Sequence, residues 1–596
     1  MGEGLDYFQL TREARGLDTS HCKKTLRLAV LADFATQQLI SVLKVLSARR
    51  GVRLEVYDGG YDVIDIEILN PESGLYKFEP QFVAILHATE KLKAKFYAAT
   101  DRPAFSEMVV THHTELWETI GKRSKAHIIQ GNYVVPSERV FGNYEQKVAH
   151  SLGRAISTIN LGIAEAAQSS RSVLLLDVDH LAAEAGRSAW ADARLWAIAK
   201  TPCSLPNLPV FARNLLDVIL AASGVFAKCL VLDLDNTLWG GVIGDDGLHG
   251  IQLGGYDEGE AFVSFQEFLL ELKRRGIILS VVSKNNHDAA ILPFREHPSM
   301  VLKESDISVF IANWDDKATN IRRIQEVLNI GFDSMVFVDD NPFERNLVRE
   351  FLPSVIVPEM PEDPSLYRGA LAALNLFETA SFSESDSQRG ELYREQAQRE
   401  LTKSSFSSIE DYLLSLNMIV KLERFSPASL PRIAQLMQRS NQFNLTTRRY
   451  SEAACEQFMN DPQNYLPLSF SLADKYGDYG LIGVTVLKLS DEELEIDEFL
   501  MSCRVLQRGV EQFVMNSVVS FAARHQMATV RGRYIPTEKN SMVKEFYSNF
   551  GFVASPISSD KSFEWTLSVQ DYLPRKVFMH TEELDPVFGL TAGTSA

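Results

Sequence analysis

The sequence predicts an α/β protein of three domains, with parallel sheets in the first two and a mixed sheet in the third. Three observations carry this. At roughly 100–200 residues per domain, a chain of 596 residues makes about three or four. Short apolar runs alternate with stretches of helical period over residues 1–215 and again over 225–380, the pattern of parallel strands joined by crossover helices. From residue 388 to 575 the order changes to helices followed by longer strand patterns, and a tail covers 576–596.

In the first domain the expected strands are Leu26–Leu31, Val52–Tyr57, Phe82–Leu86, His127–Ile129 and Val173–Leu176. Their near-continuous apolar character suits a sheet covered on both faces. The Pro-rich stretch Pro202–Pro209 reads as the way out of this domain. A second pattern opens at Lys228 with the run CLVLDLD and continues with strands at Ile277–Val282, Met335–Val338 and Val355–Val357. Ser381–Ser387 then punctuates the chain. Helices are expected over Arg389–Glu400, Pro431–Ser440 and Val510–His525, with strands at Leu481–Leu489 and Leu494–Met501.

Composition narrows the function. Hydrophobic residues make up 45% and charged residues 23%, enough apolar content for ordinary cores. The net charge is −18 with no local basic stripe, so nucleic acid is a poor partner. The five cysteines, at 22, 203, 229, 455 and 503, include no CxxC pair. That argues against a disulfide framework and a zinc site and fits a reducing cytosol. No apolar run reads as approaching a membrane span of ~20 residues, and the polar start MGEGLDYFQL is unlike a signal peptide. The expectation is a cytoplasmic protein without a membrane partner.

The sharpest signal is Asp233-Leu-Asp235-Asn-Thr237 directly after an apolar strand. Carboxylates at the carboxyl end of a parallel strand sit where open α/β sheets bind ligands. Asp233 is placed to attack phosphorus, and Asp235 to act as general acid and then base. Ser283 follows the next strand and can hydrogen-bond a phosphoryl oxygen. Lys317 opens a helix and can neutralise charge on phosphorus. Asp339 and Asp340 end another strand and complete, with Asp233 and Asp235, an oxygen-only shell suited to Mg²⁺. A charged strand end with a turn-forming Asn accounts for the first motif alone, but not for all four in this order. The intervals between them leave little length for an inserted cap domain.

These four motifs resemble the haloacid-dehalogenase (HAD) superfamily. The extended stretches Lys228–Gly247, VVSKNN, WDDKATNIRRI and FVDDNPFER, with features running to about Leu573, are similar to its FkbH-like family, in subfamily IIIC. The resemblance implies a glyceryltransferase/phosphatase. Such enzymes take the glyceryl unit of 1,3-bisphosphoglycerate, remove phosphate and load the unit as a thioester on an acyl carrier protein. The implied cofactor is Mg²⁺, and the implied acceptor is the phosphopantetheine arm of that carrier. Thr237 and Asn285, inside the matched motifs, join the expected substrate-binding residues.

Thioester formation requires a thiolate on the enzyme or the carrier. Cys229 lies on the same strand as Asp233 but roughly 13 Å away at ~3.3 Å per residue, toward the wrong end of the sheet. Cys503, where a strand gives way to a helix start, is the stronger candidate, because helix-start N–H groups lower a thiol pKa. A buried core thiol is the plain alternative for both.

Arg508-Gly509-Val-Glu511 and the downstream Glu545–Phe552 resemble the GNAT acyltransferase pattern, whose loop holds coenzyme A phosphates. Glu511 stands where the second loop glycine belongs and would repel a pyrophosphate more than the single phosphate of a phosphopantetheine arm. Asn441, Asn444, Thr446 and Arg448 offer donors for glycerate or phosphate, or alternatively cap a helix and a turn. Arg504, Arg508, Arg531 and Arg533 are a landing patch for an acidic carrier, or a solvated face. The run Tyr-Gly-Asp-Tyr-Gly after Lys475 reads as a turn between strands.

The first domain loosely resembles the SGNH-hydrolase fold. Its first strand ends in Ala32-Asp33-Phe34, with Phe34 where a nucleophilic serine would stand, and Asp177–His180 has the DxxH spacing of a dyad. Without the serine, a scaffold or docking role is expected, with Asp33 as a helix N-cap. Two rivals to the glyceryltransferase remain: a HAD phosphatase acting on a sugar or other metabolite phosphate, and a non-catalytic docking scaffold for a carrier protein. The pathway, polyketide or surface polysaccharide, stays open.

Overall fold

The computed structural model describes residues 6–170, 172–381, 393, 395, 409–439, 443–475, 477–490, 492–502, 505–506, 508–537, 540–554 and 562–581. Two compact units divide the chain: residues 1–227 with 358–383, and residues 228–357 with 384–596.

The first unit is built on a parallel sheet of β1 (Lys24–Ala32), β2 (Val52–Tyr61), β3 (Phe82–Leu86), β4 (His127–Gly131) and β5 (Val173–Leu176). Their order is β2-β1-β3-β4-β5. The chain moves outward from β1 to β2 and then returns past β1 to β3, so the direction of winding reverses between β1 and β3. Both faces are covered, as the apolar runs predict: Leu28, Val30 and Ala32 enter one core and Ala29, Leu31 and Ile85 the other.

Pro202–Pro209 is not the exit from this unit. It leads into the helix Leu208–Ala222, whose buried residues include Leu215, Leu216 and Ile219. Residues 205–222 are long and apolar enough to cross a membrane by length and composition, which the sequence reading did not register. Here 61% of that window is buried within the protein. Residues 358–383 also belong to the first unit: Arg213 donates to the Ala373 carbonyl at 2.7 Å, and Ala227 N–H to the Leu376 carbonyl. The expected boundaries at 215 and 225–380 therefore differ from the observed division.

The second unit opens with a parallel sheet of β6 (Cys229–Leu232), β7 (Ile278–Ser283), β8 (Val309–Ala312) and β9 (Met335–Val338) in the order β8-β7-β6-β9. Every residue of β6 is buried because it has a neighbour on each side and cores on both faces. Two corrections arise here. Val355–Val357 is not a strand but a single bridge, with Ile356 bonded to Met335 and Phe337 next to Pro358. The fourth strand is β8, a short run whose burial is only partial and whose sequence signal is weak. Between β6 and β7 lie two helices, Ile243–Gly250 and Glu258–Arg274, and no inserted domain, as the motif spacing predicts.

The rest of the second unit carries a mixed sheet of β10 (Met418–Arg424), β11 (Phe443–Asn444), β12 (Tyr465–Asp474), β13 (Gly477–Leu489), β14 (Glu493–Met501), β15 (Thr529–Tyr534), β16 (Val553–Ala554), β17 (Phe563–Ser568) and β18 (Met579–Thr581). Its main path runs β16-β17-β15-β14-β13-β12-β10-β18, with β11 paired to β14. The expected helices appear as Leu430–Arg439 and Val510–Arg524. The Tyr-Gly-Asp-Tyr-Gly run, expected as a turn, is instead mostly strand: its residues from Gly477 to Gly480 open β13, with Gly477 paired to Asp474 of β12. The helix expected over Arg389–Glu400 and the punctuating stretch Ser381–Ser387 lie, but for a few residues, outside the described residues.

Candidate functional site

The site forms because several segments each end at the carboxyl edge of the β6–β9 sheet. Asp233 leaves β6, and its N–H donates to the Val338 carbonyl of β9 at 3.0 Å, which aligns the two strand ends. The chain then turns sharply. Asn236 adopts a left-handed conformation (φ 54°), which Asn tolerates better than most residues. Its Oδ1 accepts from Gly241 N–H, and Thr237 and Leu238 N–H both return to the Leu234 carbonyl. Thr237 Oγ1 accepts from Asp340 N–H at 3.2 Å, tying this turn to the end of β9.

Lys317 is the first residue of the helix Lys317–Leu328, capped by Asp316, whose carboxylate accepts from Thr319 N–H and Oγ1. The cap directs the buried Lys317 ammonium onto two carboxylates: Asp233 Oδ1 at 2.8 Å and Asp339 Oδ2 at 2.6 Å. Carboxylate oxygens of Asp233, Asp339 and Asp340 all lie within 4.8 Å of one another. Arg345 donates to the carbonyls of Asp339 and Asp340 at 2.9 and 2.7 Å and so holds the loop that presents both side chains.

Burial pushes Asp233 up from its ordinary value, the Lys317 charge opposes that and the Asp339 charge adds to it. Asp340 rises to about 6, first by burial and then by the Asp233 charge. Burial alone would lower the Lys317 ammonium, but Asp233 and Asp339 more than reverse this and raise it. Three clustered carboxylates against one ammonium leave an excess of negative charge in a buried place. An all-oxygen donor set of that charge fits a hard divalent cation such as Mg²⁺.

Asp235, expected to share the metal through its side chain, is outside that cluster. Its Oδ1 accepts from Trp239 Nε1 and Ile243 N–H, both at 3.0 Å, and its Oδ2 from Asn285 Nδ2 at 2.7 Å. The turn after β6 points it away from Asp339 and toward the loop after β7. Asn285 Nδ2 also donates to Ser283 Oγ at 3.1 Å, leaving the Ser283 hydroxyl hydrogen for another acceptor. Sequence reasoning missed Arg345, Trp239 and the pair of Lys284 Nζ with Glu344 Oε1 at 2.6 Å. All four sit inside or beside the motif stretches, which was the available signal.

The C-terminal expectations fare differently. Cys503, Asn441 and Arg504 lie outside the described residues. Arg508 is buried, and its guanidinium is held by Asp474 at 3.2 Å and by Tyr479 Oη. Arg448 pairs with Asp497 and Tyr450. Arg531 pairs with Glu493 and Glu495, and Arg533 with Glu564, so these arginines do not form a basic patch. Asn444 Oδ1 accepts from Thr447 N–H, and Thr446 donates to Glu498 Oε2. Gly509 caps the helix Val510–Arg524 at φ 82°, a conformation that favours glycine. Burial pushes the Glu511 carboxyl upward. Cys229 is fully buried, with its thiol pushed up to about 12, and burial also raises Cys203 and Cys455.

In the first unit Asp177 and His180, which have the spacing of a dyad but were expected to do nothing catalytic, do not face one another. Asp177 caps the helix Val178–Ala185 through His180 N–H, and the exposed His180 ring faces Glu184. Asp33 is not the cap of its own following helix; it serves Ala88 N–H and His87 instead.

Comparison with known proteins bears on this geometry. Residues 27–220 match the family described as FkbH, N-terminal domain. The crystal structure of the N-terminal part of protein BF1531 from Bacteroides fragilis, described as containing a phosphatase domain complexed with Mg, is 40% identical. The match covers 63% of this chain and 99% of that one, with a TM-score of 0.60. This chain belongs to the FkbH-like family of the HAD superfamily. Membership accounts for the chain order of Asp233, Ser283, Lys317 and Asp339 along one sheet edge. The ribosomal-protein-S18-alanine N-acetyltransferase from Escherichia coli (13% identical) and Ard1 from Thermoplasma volcanium (22%) each match 25% of this FkbH-like chain and 94% of their own. Their TM-scores are both 0.20. No protein of curated function matches.

Proposed function

We propose that the chain is a Mg²⁺-dependent glyceryltransferase/phosphatase that takes the glyceryl unit of 1,3-bisphosphoglycerate, removes phosphate and loads the unit on the phosphopantetheine thiol of an acyl carrier protein. The observation that carries this reading is the cluster of buried Asp233 and Asp339 with half-buried Asp340 around Lys317. The Mg-bound phosphatase-domain relative and the FkbH family match support it.

Asp233, Asp339 and Asp340 would hold the ion, which when bound neutralises charge on the carboxylates and phosphoryl oxygens. An oxygen of Asp233 attacks the ester phosphorus, forming an aspartyl phosphate as the bond to the alcohol oxygen breaks. Asp235, fixed by Trp239, Ile243 and Asn285, gives its proton to that oxygen and then takes one from the water that releases phosphate. Lys317 holds Asp233 in place and balances charge, and the Ser283 hydroxyl donates to a phosphoryl oxygen. At the acyl end a thiolate attacks the carbonyl and phosphate leaves. The cysteines Cys203, Cys229 and Cys455 are buried, with raised pKa values, so they are not the thiolate. Cys22, half-buried in the first unit beside His21 and the Ala48 carbonyl, has no helix-start context, and the thiolate is assigned to Cys503 or to the carrier arm itself.

The test is intact-mass spectrometry of a phosphopantetheinylated carrier incubated with the protein, Mg²⁺ and 1,3-bisphosphoglycerate. A glyceryl mass gain on the carrier is expected, and Cys503→Ser decides whether it passes through that residue. Phosphate release with an unchanged carrier would instead mark a HAD phosphatase.

A further inference from the structure

The first unit holds a buried Asp–His pair at the place where its sheet reverses its winding. Asp33 ends β1 and His87 follows β3, the two strands on either side of the reversal, and ligands of open parallel sheets bind beyond the carboxyl ends of such strands. Asp33 Oδ1 accepts from Ala88 N–H at 2.7 Å, and Oδ2 faces His87 Nδ1 at 3.3 Å. Both side chains are 8% exposed. A carboxylate only accepts, so His87 Nδ1 carries a hydrogen, and in the neutral ring Nε2 presents a lone pair. No protein group among the described residues reaches Nε2.

A second ring stands against the first. His113 lies edge-on with its centroid 4.8 Å from that of His87, and Tyr133 stacks on His87 at 5.5 Å. Tyr133 Oη bonds His113 Nε2 at 2.9 Å. With the phenol donating, His113 carries its hydrogen on Nδ1, which makes no well-aligned hydrogen bond among the described residues although the Gln130 side chain stands beside the ring. One buried acceptor and one buried donor therefore remain on adjacent rings. Buried polar groups left unmet are costly, so such groups call for an explanation.

We propose that this is a second small-molecule site, in which His87 Nε2 accepts from, and His113 Nδ1–H donates to, the hydroxyl of an uncharged ligand. A hydroxyl does both, whereas an ammonium only donates. Anions are disfavoured by the Asp33 carboxylate, since Lys91 pairs with Asp62 and Lys93 with Glu138, while the Lys95 charge bears on His113. Glu90, partly buried nearby, adds to the negative field. Among the described residues next to Asp33 no hydroxyl is spare. Phe34 follows Asp33 and is buried, and the Thr36 hydroxyl donates to Asp58 at 2.9 Å.

The test uses the full-length protein with ¹⁵N-labelled histidine, His87 being assigned by His87→Gln. Glycerol is the probe and glycerate the anionic control. The His87 signal should show the Nδ1–H form, and its Nε2 resonance should shift saturably with glycerol and much less with glycerate. Asp33→Asn should abolish the single-tautomer signal. A different His87 tautomer, an Nε2 resonance unmoved by glycerol (water alone filling the place), or an equal shift with glycerate would each overturn the proposal.

Discussion

The Lys317 ammonium lies 2.8 Å from Asp233 Oδ1, inside a sheet edge that also carries Asp339 and Asp340. Lys317 is thus the cation that makes a buried acidic cluster tolerable before any metal arrives. Lys317→Met should destabilise the domain by about 3 kcal/mol in the presence of a chelator, at the lower end of a broken buried pair because the carboxyls can take up protons. Added Mg²⁺ should recover part of that, while phosphate release stays at least about 100-fold below wild type. Urea denaturation with and without Mg²⁺, together with a phosphate assay, checks both.

Asn285 joins Ser283 to Asp235, donating to both at 3.1 and 2.7 Å. Asn285→Ala should lower kcat by about 10–100-fold with a smaller change in KM, because Asp235 loses orientation and not charge. Steady-state kinetics separate the two. A rise in KM at constant kcat would assign Asn285 to substrate binding alone.

Asp340 belongs to the carboxylate cluster but makes no ion pair with Lys317. Asp340→Asn should weaken Mg²⁺ binding by about 10-fold or more without costing stability in chelator, since it removes one of three like charges. Calorimetric titration of Mg²⁺ measures the first effect and thermal unfolding in chelator the second.

Glu498 on β14 is fully buried, and burial pushes its carboxyl from 4.5 to about 8, with Thr446 and Phe499 N–H hydrogen-bonded to it. Between those two values the folded state keeps a proton that the unfolded chain releases, so stability falls as pH rises. This contribution is full below about 4.5, declines by about 1.4 kcal/mol per pH unit and is lost above about 8. Glu498→Gln mimics the neutral acid. Its advantage over wild type in hydrogen-exchange protection of β14 should therefore grow from pH 5 to pH 8, and equal protection at both ends would contradict the assignment.

Arg508 was expected to meet a phosphate, yet it is clamped between Asp474 and Tyr479 across the β12–β13 turn. Arg508→Lys should cost about 2–4 kcal/mol, because an ammonium cannot replace the planar fork at a buried site. Exchange protection of β12 and β13 reads the loss.

The sequence by itself determined the strand-end chemistry. Asp233, Ser283, Lys317 and Asp339 were legible because each follows an apolar run or opens a capped helix, and a parallel sheet brings such positions to one edge whatever the loops between them do. Strands β1, β3, β5, β6 and β9 were legible for the same local reason. What only the tertiary structure decided are the partnerships across that edge. The direction of the turn at Asn236 sends Asp235 to Asn285 and away from the metal cluster, and the fold gives Arg508 to Asp474 and Asp33 to His87. A charged side chain in a sequence shows only that it needs a partner. Which of several distant partners it finds depends on the packing of elements far apart in the chain, so the site's residue types were readable in advance and its pairings were not.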